Sequence, residues 1–158
     1  MEKTRRMIIK RRAYVACNGG DQNHVCWYGC TACGSCMEAC RKNAIFFNDH
    51  GVAEVDAGQC VGCRLCEKAC PQGIIHMRRL EESFIVRCSN QDKGAEARKA
   101  CDVSCIACGL CTRNCPSEAI TVEDSCAWVD QSACLSCGNC VVKCPRKAVY
   151  DIRGFIKR

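Results

Sequence analysis

Sixteen cysteines of the 158-residue chain fall into four runs of one pattern, C-x2-C-x2-C-x3-C. The runs are Cys30, Cys33, Cys36, Cys40; Cys60, Cys63, Cys66, Cys70; Cys105, Cys108, Cys111, Cys115; and Cys134, Cys137, Cys140, Cys144. Three thiolates at two-residue gaps can wrap three irons of a cubane, while the fourth cysteine points away into a second cluster. Each run is therefore expected to lend its last thiolate to its neighbour. That places Cys30, Cys33, Cys36 with Cys70, and Cys60, Cys63, Cys66 with Cys40. In the second half it places Cys105, Cys108, Cys111 with Cys144, and Cys134, Cys137, Cys140 with Cys115, for four [4Fe-4S] clusters in all.

The residues between these cysteines fit that chemistry. Ala32, Gly62, Ala107 and Ser136, each just before a second cysteine, are all small, as needed where backbone N–H groups approach cluster sulfurs. Ile45, Ile75, Ile120 and Val149 each sit five residues after a fourth cysteine and are expected to cover a cluster. Thiolates also suit zinc, so a zinc-bound cysteine-rich interaction module is the alternative. Zinc sites usually pair two C-x2-C knuckles across a longer gap, whereas a Pro follows the fourth cysteine in three of these four runs.

The runs belong to a duplication. Cys26 to Ile45 realigns with Cys101 to Ile120 at nine identities in twenty positions, and Cys60 to Ile75 realigns with Cys134 to Val149. Two modules are expected, residues 1–82 and 83–158, in an α+β fold of short strands and single-turn helices around the clusters. Met7 to Ala16 and Ser83 to Cys88 read as the strands that introduce the modules. Ala44 to Phe47 with Val52 to Val55, and Ile120 to Val122 with Ala127 to Val129, read as hairpins. The polar stretch 89–100 reads as the connection between modules, or, by its alignment with Asn18 to Val25, as a structured loop.

Composition sets the outer limits. Twenty-one cysteines, an odd number at close spacing, with no apolar segment resembling a secretory signal, point to thiolate ligation in a reducing, cytoplasmic setting rather than to disulfides. No apolar stretch is long enough to span a bilayer. The formal charge of +6 suggests nucleic acid, but four oxidised clusters at about −2 each bring the loaded protein to about −2. No nucleic-acid partner is expected. The basic residues Lys3, Arg5, Arg6, Lys10, Arg11, Arg12, Arg153, Lys157 and Arg158 are assigned to solvated chain ends.

Five cysteines lie outside the runs. Cys126 aligns with Val52 and is read as a small core residue, while Cys17 with Cys26 and Cys88 with Cys101 are read as packing residues or structural pairs. His24, His50 and His76 are read as surface residues, and Trp27, Tyr28, Trp128 and Tyr150 as cluster packing.

These motifs resemble the bacterial two-cluster ferredoxins. The duplicated form with an extra cysteine ahead of each first run (Cys26, Cys101) is similar to the polyferredoxin region of the Rnf-complex B subunit, without its membrane anchor and additional cluster domain. Cys30-Thr-Ala-Cys-Gly34, Val86-Arg-Cys-Ser89 with Asp92-Lys-Gly94, and Cys105-Ile-Ala-Cys-Gly109 carry the likeness; Arg41 departs from it by standing where Pro is usual. The resemblance implies an electron carrier or electron-transfer subunit without its own substrate site. Its expected partners are subunits of a redox complex: a flavoprotein, or an aldehyde, formate or hydrogen oxidoreductase. Peripheral membrane association would come only through such a complex. The chain shows no G-x-G-x-x-G or P-loop for a nucleotide cofactor.

Overall fold

The computed structural model describes residues 10–19 and 26–156. Among the described residues strand β1 (Arg11–Val15) comes first, followed by α1 (Ser35–Glu38), β2 (Ile45–Phe47), β3 (Ala53–Val55), α2 (Leu65–Ala69) and β4 (Ile75–Arg79). The order then repeats as β5 (Phe84–Val86), α3 (Gly94–Ala100), α4 (Leu110–Arg113), β6 (Ile120–Glu123), β7 (Cys126–Val129), α5 (Asn139–Lys143) and β8 (Val149–Asp151). In each half the first strand pairs antiparallel with the last, β1 with β4 and β5 with β8. The two middle strands form a hairpin, β2 with β3 and β6 with β7.

Two separate cores follow from this pairing. One gathers Ala13, Val15, Ile45, Val52, Ala53, Ile74 and Ile75; the other gathers Phe84, Val86, Ile120, Ala127, Val141 and Val149. Both include cysteines of the runs among their buried residues. Two-stranded ribbons of three to five residues have little stability in water alone, so what the cysteines bind must hold much of the fold. A side chain also ties each first strand to the loop before the second run: Arg12 Nε donates to the Ala57 carbonyl at 2.6 Å, and Gln131 Nε2 donates to that of Phe84 at 2.6 Å.

The expected strands are present where described, with residues 7–9 of the first lying outside the described segments. Residues 89–100 are more than a connection, because Gly94–Ala100 forms α3. The stretch Ala95-Glu-Ala-Arg-Lys-Ala100 has high helix propensity, and Ala97 is buried completely against the rest of the fold.

The halves meet through polar contacts. Ser89 Oγ donates to the Ala16 carbonyl (2.9 Å), the Tyr150 hydroxyl to Asn18 Oδ1 (2.5 Å), and the Tyr28 hydroxyl to Asp92 Oδ1 (3.4 Å). Arg87 reaches Glu54 at 3.8 Å while its guanidinium lies over the Tyr150 ring.

Candidate metal centres

Every run is shaped by left-handed backbone at three equivalent positions. Before the second cysteine stand Ala32, Gly62, Ala107 and Ser136, all at φ between 52° and 72°. After it stand Gly34, Arg64, Gly109 and Gly138, at φ between 66° and 80°. Three residues past the fourth cysteine stand Asn43, Gly73, Glu118 and Lys147. Such residues reverse the chain, so successive N–H groups turn inward around one point, as in the anion-binding nests of other proteins. The sequence marks the first of these positions by side-chain size; the left-handed backbone supplies the fuller reason.

A short helix follows each turn and carries the third cysteine inward. Cys36, Cys66, Cys111 and Cys140 are all buried, whereas the second cysteines Cys33, Cys63, Cys108 and Cys137 are all exposed. Burial pushes the Cys66 thiol up to about 11 and the Cys140 thiol to about 12, and raises Cys36 and Cys111 as well. A metal binding there must displace those protons, which couples loading to pH.

Three cavities lie among the runs. The first is lined by Cys30, Cys33, Cys36 and Cys70 together with Val15 and Ile75. In the second, Cys60, Cys63, Cys66 and Cys40 converge with Ala13 and Ile45. The third is lined by Cys105, Cys108, Cys111 and Cys144 with Val149. Around the fourth run the Cys140 thiol feels Cys134 and Cys137 beside it, and Cys115 packs on the same core as Cys134 and Cys140. There the Ile156 side chain occupies the space that a Cβ on Gly138 would need.

Several sulfurs already meet N–H donors. The Ala44 amide donates to Cys40 Sγ at 3.4 Å, the Ala148 amide to Cys144 Sγ at 3.3 Å, and the Ala13 amide of β1 to Cys60 Sγ at 3.5 Å. For Cys115, burial raises the thiol but the Ser117 hydroxyl and the amides of Ser117, Ala119 and Ile120 outweigh it.

This donor set fits a multinuclear cluster better than one ion. Among the described residues no three His, Cys, Asp or Glu side chains stand close enough to hold a single metal ion. Four thiols lining one space from two runs instead suit a cubane whose corners reach out to them. Ile45, Ile75, Ile120 and Val149 are between 1% and 6% exposed, so they wall these sites from water.

Several side chains stand elsewhere than expected. Trp27 and Trp128 are 86% and 54% exposed, so they do not pack on clusters. Both occupy loop or ribbon faces turned to solvent, a placement that aromatic character alone does not reveal. Tyr28 and Tyr150 instead bond across the halves. His50 is exposed, His24 lies outside the described residues, and His76 is half-buried with its ring 5.7 Å from that of Tyr14. Burial lowers its basicity, so His76 is part of the β1–β4 ribbon rather than a free surface group.

Cysteines outside the runs are also arranged in an unexpected way. All are free thiols. Cys126, partly buried on the second core, donates its S–H to the Cys88 carbonyl at 3.3 Å. Cys17, Cys26, Cys88 and Cys101 line one cavity between the halves, so they form one set of four instead of two separate pairs. The duplication hints at this, because each half repeats two cysteines ahead of its first run.

Paired ribbons around inward-facing thiol sets define the class: a cysteine-ligated iron–sulfur protein built by duplication. Comparison with known proteins makes it specific. The 4Fe-4S dicluster domain family matches residues 29–82 and 104–148, a second family of the same description matches 59–120, and the chain belongs to the 4Fe-4S dicluster domain family. Four [4Fe-4S] clusters and an electron-transfer role go with two such domains.

Among curated proteins, the chain is 44% identical over 120 residues to the B subunit of the Na(+)-translocating ferredoxin:NAD(+) oxidoreductase complex of Acetobacterium woodii, across 76% of this chain and 35% of that protein. It is 38% identical over 111 residues to the B subunit of the ion-translocating oxidoreductase complex of Methanosarcina acetivorans, across 70% and 42%. The B subunit of the proton-translocating ferredoxin:NAD(+) oxidoreductase complex of Clostridium ljungdahlii is 41% identical over 107 residues, across 68% and 38%. The chain thus spans between 35% and 42% of the length of these relatives. Among the described residues, no helix is long and apolar enough to cross a membrane.

Proposed function

We propose that the chain is a polyferredoxin unit that relays single electrons through its four [4Fe-4S] clusters between the redox subunits of a larger oxidoreductase complex. In this reading the ligand sets are Cys30, Cys33, Cys36 with Cys70; Cys60, Cys63, Cys66 with Cys40; Cys105, Cys108, Cys111 with Cys144; and Cys134, Cys137, Cys140 with Cys115. The observation that carries it is the lining of the three cavities, each drawing three cysteines from one run and the last from its neighbour. Residues 1–82 and 83–158 act as two modules, a division supported by the two separate cores. When bound, each cluster takes up and releases one electron; the protein holds the thiolates, supplies N–H donors and excludes water.

Components of a ferredoxin:NAD(+) oxidoreductase complex are the partners best supported, given the sequence similarity to its B subunits. A flavoprotein or an aldehyde, formate or hydrogen oxidoreductase is the wider class of partner in this reading. The setting proposed is cytoplasmic, since reduced thiolates are needed to load the sites.

The deciding experiment is Cys40→Ser in anaerobically loaded protein, with native alkylation and peptide mapping. Loss of one cluster should leave Cys60, Cys63 and Cys66 open to alkylation while Cys30, Cys33 and Cys36 stay protected. The reverse pattern would refute the exchange of last ligands, and zinc in place of iron and sulfide would refute the relay itself.

A further inference from the structure

The fifth thiol set lies in a different place from the four runs. Cys17 follows β1, Cys88 follows β5, and Cys26 and Cys101 each stand four residues ahead of a first-run cysteine. Each half therefore gives two thiols to one cavity between them, and its lining also includes Ala16, Gly29, Arg87 and Ser104.

The cavity is built as the run sites are built. Like them it is lined by four cysteines drawn from two separate stretches of chain. Its sulfurs meet N–H donors: the Asn90 amide reaches Cys88 Sγ at 3.4 Å, Asn90 Nδ2 reaches Cys26 Sγ at 3.4 Å, and the Cys105 amide reaches Cys88 Sγ at 3.3 Å. Asn90 itself is only 1% exposed, so a buried side-chain amide is committed to a sulfur. A small residue lets the backbone in close, since a Cβ on Gly29 would stand 3.3 Å from Cys17 Sγ and 3.9 Å from Cys26 Sγ. On the other side Arg146 fixes the loop that carries Cys101, donating to the Cys101 carbonyl at 2.6 Å and to that of Ser104 at 3.4 Å.

Packing explains these features less well than ligation does. Four thiols converging from two halves around an opening, with a buried amide and backbone N–H groups directed at sulfur, make a donor set and not a hydrophobic filling. Zinc would need four sulfurs about 2.3 Å from one ion. As in the run sites, no three of these thiols stand that close.

We propose that Cys17, Cys26, Cys88 and Cys101 hold a fifth [4Fe-4S] cluster at the junction of the two halves.

Its position gives it a role, which rests on the ligand sets proposed above. The Cys30 backbone lies beside the Cys17 thiol, and Cys88 Sγ accepts the N–H of Cys105. Cys30 and Cys105 each open a run, so the fifth site touches the first site of either half. A cluster held by these four thiols would supply a one-electron centre between the first sites of the two halves, joining two dicluster units into one conductor.

Native mass spectrometry with iron and acid-labile sulfide analysis tests this on the anaerobically loaded full chain. Five cubanes, about twenty iron and twenty sulfide per chain, are expected, against about sixteen of each for four. In Cys101→Ser the mass should fall by one cubane, with Cys17, Cys26 and Cys88 newly alkylated and all sixteen run cysteines protected. Four cubanes in the unaltered protein would overturn the fifth site and leave the four-cluster relay standing; fewer than four would strike the relay. An increment of two iron and two sulfide beyond the four cubanes, or a single zinc, would overturn the cubane assignment. Should Cys101→Ser fail to fold, the count in the unaltered protein decides by itself.

Discussion

Gly62 shows how closely the fold is pressed against one cluster site. It stands between Cys60 and Cys63 at φ 72°, and a Cβ added there would lie 2.5 Å from the Arg11 carbonyl oxygen and 3.1 Å from its carbon. Those atoms are backbone of β1, the strand whose Ala13 amide donates to Cys60 Sγ, so they cannot move aside without pulling that donor off the sulfur. Gly62→Ala incurs the left-handed penalty of about 1–2 kcal/mol and an overpacking cost of about 1–3 kcal/mol. Together these predict a destabilisation of about 2–5 kcal/mol, a large part of the margin of a small domain. Because cluster loss is irreversible, the assay is kinetic: bleaching of visible absorbance under a ferrous chelator, followed anaerobically at several temperatures. Loss of the cluster at Cys60, Cys63 and Cys66 should quicken at least tenfold. Ala107→Gly is the control, since Ala107 holds the equivalent left-handed position with a Cβ already present, and it should retain its cluster at least as long. Bleaching of Gly62→Ala within twofold of the unaltered protein would refute the claim that β1 clamps this loop.

Other outcomes follow from the same geometry. Arg64 is the non-glycine member of the capping set Gly34, Arg64, Gly109 and Gly138, and its ion pair with Glu67 at 3.6 Å is solvent-exposed. Arg64→Gly should therefore slow thermal inactivation, gaining about 1 kcal/mol; an unchanged or faster rate would show that the ion pair outweighs backbone strain. Arg146→Met removes both donors to the Cys101–Ser104 loop, and a loss of about 1–3 kcal/mol should appear as early release of one cluster, seen by native mass spectrometry. Simultaneous release of all clusters would contradict that local role. Trp27→Ser and Trp128→Thr should leave cluster content and thermal stability within about 0.5 kcal/mol of the parent while slowing electron exchange with a redox partner. An unchanged exchange rate would show that partners dock elsewhere.

Spacing alone made much of this protein legible. Four C-x2-C-x2-C-x3-C runs in two matched halves identify iron–sulfur chemistry, the duplication and the apolar residues over each site, because ligand spacing is local and a cubane tolerates few arrangements. The hairpins between runs were readable for the same reason, being short and bounded by turn residues. Helix α3 was less so, since its polar composition masks the one face, around Ala97, that is buried. Exposure of Trp27 and Trp128 was not readable either: an aromatic residue beside a ligand run packs or projects according to which face of the loop it occupies. The fifth thiol set depended most on tertiary structure. Cys17 and Cys101 are separated by most of the first half and meet only because the two halves dock through Ser89, Tyr28, Tyr150 and Asn18. Local spacing brings together cysteines that share a loop, whereas those contributed by two modules converge only when the modules fold against each other.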